Sequence, residues 1–142
     1  MKSPKVYFRD SGLLHALLGL GTRLEVLAHP RLGASWEGFA LDQTIRLTGA
    51  ERDAYFYATH GGAELDLLVM RGGKRFGFEF KHDDAPRMTK SMQVAIADLA
   101  LAHLYVVHPG EGALPLSADA TAVGLAALAR TLESARLARP RV

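Results

Sequence analysis

Asp66, Glu79 and Lys81 are the residues of this chain whose types and spacing best suit chemistry. They lie in the stretch GAELDLLVMRGGKRFGFEFK, residues 62–81. Two apolar runs flank Gly72-Gly73, and each carries charges at alternate positions where a buried strand would continue with Val or Ile. A two-residue type I′ turn needs positive φ at both central positions, which glycine adopts freely, so Arg71-Gly72-Gly73-Lys74 predicts a hairpin. With Gly72 facing Gly73, Arg71 pairs with Lys74, Leu68 with Gly77, Asp66 with Glu79, and Glu64 with Lys81. Side chains alternate faces along a strand. Glu64, Asp66, Gly77, Glu79 and Lys81 therefore share one side, and Leu65, Leu67, Val69, Phe76, Phe78 and Phe80 the other.

Carboxylates facing each other across strands repel and destabilise a sheet, so the pair calls for an offsetting charge. A divalent cation supplies one, because Mg²⁺ accepts one or two carboxylates and fills its other positions with water or phosphate oxygens. Lys81, on the same side as Glu79, would add a point charge able to hold an attacking water or a developing phosphorane charge. Gly77 would let a ligand backbone approach the sheet. A ribbon with one solvated face also carries alternating charge, and Glu64 opposite Lys81 would then be an exposed ion pair. Against that simpler arrangement, the hairpin is followed by a helical and then an apolar pattern, which predicts a sheet covered on both faces.

The elements that must position these residues are legible from periodicity. Leu13, Leu14, Leu17, Leu18 and Leu20 follow Asp10-Ser11, a plausible N-cap, and predict a short helix ended by Gly19 and Gly21. A second helix is predicted from about Leu32 to Leu47, with Trp36, Phe39, Ala40, Leu41 and Ile45 buried, Glu37 among them, and Thr48-Gly49 as the stop. Residues 54–58 read as a strand, and His60-Gly61-Gly62 turns the chain into the hairpin. Pro86 is expected to start a helix striped with Met92, Ala95, Ile96, Leu99 and Ala100, and Leu104-Tyr105-Val106-Val107 to form a buried strand. The tail from about Ala113 reads as a strand near Thr121 to Leu125 and a helix through Ala138, made basic by Arg130, Arg136, Arg139 and Arg141.

At 142 residues and 49% hydrophobic content, the chain suits a single domain over 1–142: a helical lead-in at 1–30, a core at 31–110, and a strand and helix extension at 111–142. Its formal charge of +2 permits an anionic partner without demanding one. With no cysteine, disulfides, thiolate metal sites and Cys nucleophiles are excluded, and a reducing compartment fits. No apolar run reaches membrane-spanning length and no signal peptide is recognisable, so the chain reads as cytoplasmic. The abrupt start at Lys5-Val6-Tyr7-Phe8 reads as the middle of a longer protein.

Asp66-x12-Glu79-x-Lys81, preceded by the helical Glu37, on a helix, strand, strand, strand, helix, strand order, resembles the PD-(D/E)XK nuclease core of the restriction-endonuclease-like fold. Together with the stretch from Lys5 to Leu14, Trp36-Glu37, Tyr55-Phe56-Tyr57 and residues 61–66, it resembles more narrowly an uncharacterised domain family forming the C-terminal part of bacterial and archaeal AAA-type ATPases. The resemblance covers most of residues 4–110. It implies metal binding by Asp66 and Glu79, metal or water contact by Glu37, and a catalytic-type role for Lys81. Leu65 stands where the motif usually has proline, a position that varies in such folds. The resemblance also implies an ATPase upstream, since no G-x-x-x-x-G-K-[ST] occurs here.

The fold expected is α/β, a restriction-endonuclease-like mixed sheet with a three-strand meander, a crossover helix and a fourth strand, flanked by helices. The expected function is a Mg²⁺- or Mn²⁺-dependent phosphodiesterase acting on DNA, with Glu37, Asp66, Glu79 and Lys81 as its site. The alternative is a catalytically silent nucleic-acid-binding or protein-docking module of the same ATPase. Arg87 and Lys90 would meet phosphates, with Gln93 beside them, or would simply be an exposed helix face. The six histidines form no H-x-x-x-H pair, so no zinc site is expected; His82 could line the cleft or end a solvated strand. The C-terminal arginines suit a helix end better than a nucleic-acid tract. Ser11 and Ser35 read as caps.

Overall fold

The computed structural model describes residues 6–139. Three helices lead in: α1 (Ser11–Leu17), α2 (Arg23–Ala28) and α3 (Leu32–Thr48). Asp10 caps α1, its side chain accepting from the Leu13 amide. The second of these helices was not expected. Its signal is a capping box, in which Thr22 accepts from the Glu25 amide and Glu25 reaches back to the Thr22 amide. Gly49, at φ 66°, ends α3 in the left-handed conformation.

A six-stranded mixed sheet follows: β1 (Ala54–Ala58), β2 (Glu64–Arg71), β3 (Lys74–Phe80), β4 (His103–His108), β5 (Ala113–Ser117) and β6 (Ala120–Gly124), in spatial order β1-β2-β3-β4-β6-β5. The first three strands form an antiparallel meander, and β4 joins β3 in parallel through α4 (Lys90–Asp98). β6 lies parallel to β4, and the edge strand β5 pairs antiparallel with β6. β5 was not expected; it contains Pro115, whose missing N–H an edge strand tolerates. α5 (Leu125–Ser134) closes the chain.

Two cores sandwich the sheet. On one face Leu67, Val69, Phe78, Phe80, Tyr105, Val107 and Val123 pack with α3 and with Leu128 and Leu132 of α5. On the other, Leu65, Leu104, Val106 and Ala120 pack with Met92 and Ala95 of α4. β6 and α5, which carry residues assigned to an extension, are thus part of the same sheet and core.

Several expectations are corrected. Pro86 is buried in the loop ahead of α4, which starts at Lys90 because Thr89 caps it by accepting from the Met92 amide. Phe39 is 41% exposed, whereas Ala40 is buried and Trp36, Leu41 and Ile45 pack on the core as expected, and α3 also buries the polar Ser35, Asp42 and Thr44. Ser35 is no cap: it lies inside α3 and its hydroxyl bonds His15 Nε2 at 2.7 Å. The arginine tail is no helix-end cluster, since the last turn of α5 holds no basic residue. Arg139 instead folds back, its amide donating to Leu47 and its side chain lying against Gly49. Arg141 lies outside the described residues.

Candidate metal and nucleic-acid site

The Gly72-Gly73 turn forms as expected, with φ values of 57° and 72°, and sets the hairpin register: Arg71 faces Lys74, Leu68 faces Gly77, and Leu67 faces Phe78. The ladder stops one pair short of Asp66 and Glu79. Its end has a cause in the neighbouring strand. Tyr55 faces Leu68 and Tyr57 faces Leu65, so two residues of β2, Asp66 and Leu67, stand opposite Phe56 alone. This is a β-bulge, which adds a residue, bends the strand and re-aims a side chain.

The bulge has two effects. Simple alternation placed Leu65 with Leu67, whereas Leu65 packs in the α4-side core and Leu67 in the α3-side core. Asp66, released from the ladder, bonds across the strands: its Oδ2 accepts from the Phe80 amide at 3.0 Å, and its carboxyl hydrogen-bonds that of Glu79. Asp66 and Glu79 are therefore neighbours, through a bulge rather than through a regular pair. Lys81 joins them, with Nζ 3.4 Å from Glu79 Oε2.

Glu79 is 4% exposed, which removes the solvated-ribbon alternative at this position. Burial, and then the adjacent Asp66, push its carboxyl up from 4.5 to about 8 against the opposing pull of Lys81. The Glu64 backbone is held by Ser91 of α4, whose hydroxyl accepts from its amide and donates to its carbonyl.

Gly77 does not open the sheet to a ligand. A Cβ there would lie 2.6 Å from Leu101 Cδ1 and 3.0 Å from Leu104 Cδ1, so the missing side chain admits the α4-side core. Glu37 is half-buried and begins the α3 row continued by Leu41 and Ile45, which line a cavity together with Asp66. The preceding turn of α3 covers the end of β3, with the Trp36 ring 5.6 Å from that of His82. Among the described residues no group of three His, Asp or Glu side chains is placed to hold a metal ion.

Arg87 and Lys81 line a groove of about 410 Å³ with Asp83, Pro86 and Thr89. Lys90 and Gln93 are exposed on the first turn of α4. Asp42 was overlooked as a charged residue. It is 5% exposed and neutralised by Arg46 Nε at 2.6 Å and Arg9 Nε at 3.4 Å, pairs that its i, i+4 spacing to Arg46 could have suggested.

A divalent cation suits the donor chemistry of this pair. Two carboxylates have been brought together with little water around Glu79, and the shared hydrogen bond leaves room for only part of their negative charge. No helix among the described residues is long and apolar enough to cross a membrane.

Comparison with known proteins adds the following. The family profile described as "Domain of unknown function (DUF4143)" matches residues 32–128. The uncharacterised proteins Mb2031c of Mycobacterium bovis and Rv2008c of Mycobacterium tuberculosis are each 48% identical to the chain over 122 residues. That alignment covers 86% of this chain and 27% of each relative. No solved structure matches it significantly.

Proposed function

The chain belongs to the DUF4143 family, and on that premise we propose that it is a PD-(D/E)XK-type, Mg²⁺- or Mn²⁺-dependent phosphodiesterase domain acting on DNA, working in the cytoplasm beside a AAA-type ATPase. The observation that carries this reading is a carboxyl held at 4% exposure against a second carboxyl, with an ammonium 3.4 Å away. A structural ion pair needs one carboxylate per cation. Here a second carboxyl, that of Asp66, lies against the one paired with the lysine, at a bulge that interrupts the sheet.

Asp66 and Glu79 would hold the metal, with Glu37 contributing directly or through water. When bound, such an ion lowers the pKa of a coordinated water and polarises a phosphoryl oxygen. Asp66 is oriented by the Phe80 amide, which donates to its Oδ2. Lys81, at the end of β3, directs positive charge to the place where negative charge develops in phosphoryl transfer. Arg87 shares its groove and would hold a neighbouring phosphate, with Lys90 and Gln93 extending that surface along α4.

One observation favours the rival, a silent nucleic-acid-binding or protein-docking module of the ATPase: no third acidic ligand is gathered at the pair among the described residues. The test is incubation of the full chain with single-stranded, duplex and branched DNA in Mg²⁺ or Mn²⁺. Wild type cleaves at least one substrate. Lys81→Ala keeps metal binding while cleavage falls by about 10²-fold or more, the order seen on losing one transition-state donor. Asp66→Asn weakens metal binding and activity together. A wild type that binds metal and DNA and leaves every substrate intact sinks the nuclease reading and leaves the docking module.

A further inference from the structure

The carboxylate pair lies between two unlike surfaces. Lys81, bonded to Glu79, opens on the basic groove with Arg87. Asp66 opens instead on a cavity of about 250 Å³, lined by Tyr7, Phe56, Leu41, Ile45 and Leu67. Phe56 is 52% exposed on the edge strand β1. Consecutive strand residues ordinarily point to opposite faces. β1 keeps that alternation: Tyr55 faces Leu68 and Tyr57 faces Leu65, both on the α4 side of the sheet, so Phe56, opposite Asp66 and Leu67, is the residue that turns its ring to this cavity. Tyr7 is held in place by close packing on Gly38, where a Cβ would lie 2.9 Å from Tyr7 Cδ1.

The order across the site is aromatic wall, carboxylates, cations. A nucleotide presents the matching order of planar base, reacting phosphate and next phosphate. Drug-sized ligands use pockets of about 300–1,000 Å³, and the smaller space here suits a single planar ring system. A base inside a duplex is stacked on its neighbours and cannot reach such a wall, whereas an unpaired base stacks on aromatic side chains regardless of its identity.

We propose that the cavity lined by Tyr7 and Phe56 is a stacking subsite for an unpaired nucleobase next to the carboxylate pair, making single-stranded nucleic acid the preferred ligand of this domain. This rests on the nucleic-acid reading above and narrows its substrate class.

The experiment measures fluorescence anisotropy of labelled oligothymidylate, the same oligomer with abasic positions, and a duplex of equal length, in Ca²⁺ to support binding without turnover. Wild type binds the single strand about tenfold or more tighter than the abasic oligomer or the duplex, the order expected for one stacked base. Phe56→Ala loses that preference and retains duplex affinity. Phe56→Leu, which keeps apolar bulk without a ring, behaves like the alanine variant, and unchanged thermal midpoints show that both fold. Equal binding of the intact and abasic oligomers, or variants that bind like wild type, overturns the subsite and leaves the nucleic-acid reading in place. A wild type that binds none of the three probes overturns both.

Discussion

At the residue scale, Glu79 makes a pH dependence that needs no substrate to observe. Its folded carboxyl titrates near 8 and an ordinary one near 4.5, with burial the main cause and Asp66 the second. Between those values the unfolded chain has released a proton that the folded chain keeps. The unfolded state therefore binds fewer protons, and stability falls as pH rises through this window. In a chelating buffer, the thermal midpoint of wild type should drop relative to that of Glu79→Gln between pH 4.5 and about 8. Added Mg²⁺ should recover most of the loss at the upper end and little at the lower. A difference from Glu79→Gln that stays flat with pH would show that Glu79 titrates as an ordinary carboxylate. Asp66, Glu79 and Lys81 were legible as neighbours because two glycines set a hairpin register that runs to within one pair of Asp66 and Glu79. Asp42 was not, because its arginine partners make it a neutralised structural charge, and a sequence does not distinguish that from a solvated one.

At the element scale, the hairpin was readable and its bulge was not. Turn chemistry is local, written in Arg71-Gly72-Gly73-Lys74, whereas the bulge is set by β1 pairing on the far side of β2. That is why alternation misplaced Leu65, and why Gly77 was taken for an opening to a ligand. Gly77 faces Leu65, Leu101 and Leu104, contacts that arise only once the crossover helix and β4 are in place. Gly77→Ala should overpack this core and cost about 1–3 kcal/mol, read as a lower denaturant midpoint, with Mg²⁺ affinity unchanged. Unchanged stability with weakened ligand binding would restore the opening. The other differences are also instructive. The Thr22 to Glu25 capping box was a legible signal for α2, whereas Thr89, not Pro86, supplies the cap that starts α4. β5 was not read from the sequence, and its Pro115 is permissible because the strand lies at the sheet edge.

At the scale of the whole molecule, the helical lead-in, α3 and the sheet meet where the carboxylates lie. Tyr7 packs on Gly38, Arg9 pairs with Asp42, and Trp36 leans on His82, so residues distant in sequence wall a site built by β2 and β3. The mixed sheet with its meander and crossover helix was legible because hydrophobic period changes cleanly between strand and helix. The order in which β6 and β5 extend the sheet was not, because parallel pairing of β6 with β4 leaves no local mark. The account depends on the sheet presenting Asp66 and Glu79 to one cation, and crystals soaked in Mn²⁺ near pH 8, where Glu79 is readily ionised, test this most directly. The account predicts an anomalous peak within bonding distance of both carboxylates, about 2.0–2.3 Å from their oxygens as for hard divalent cations, with the hydrogen bond between them broken. No peak at the pair, with that hydrogen bond still intact, would contradict it.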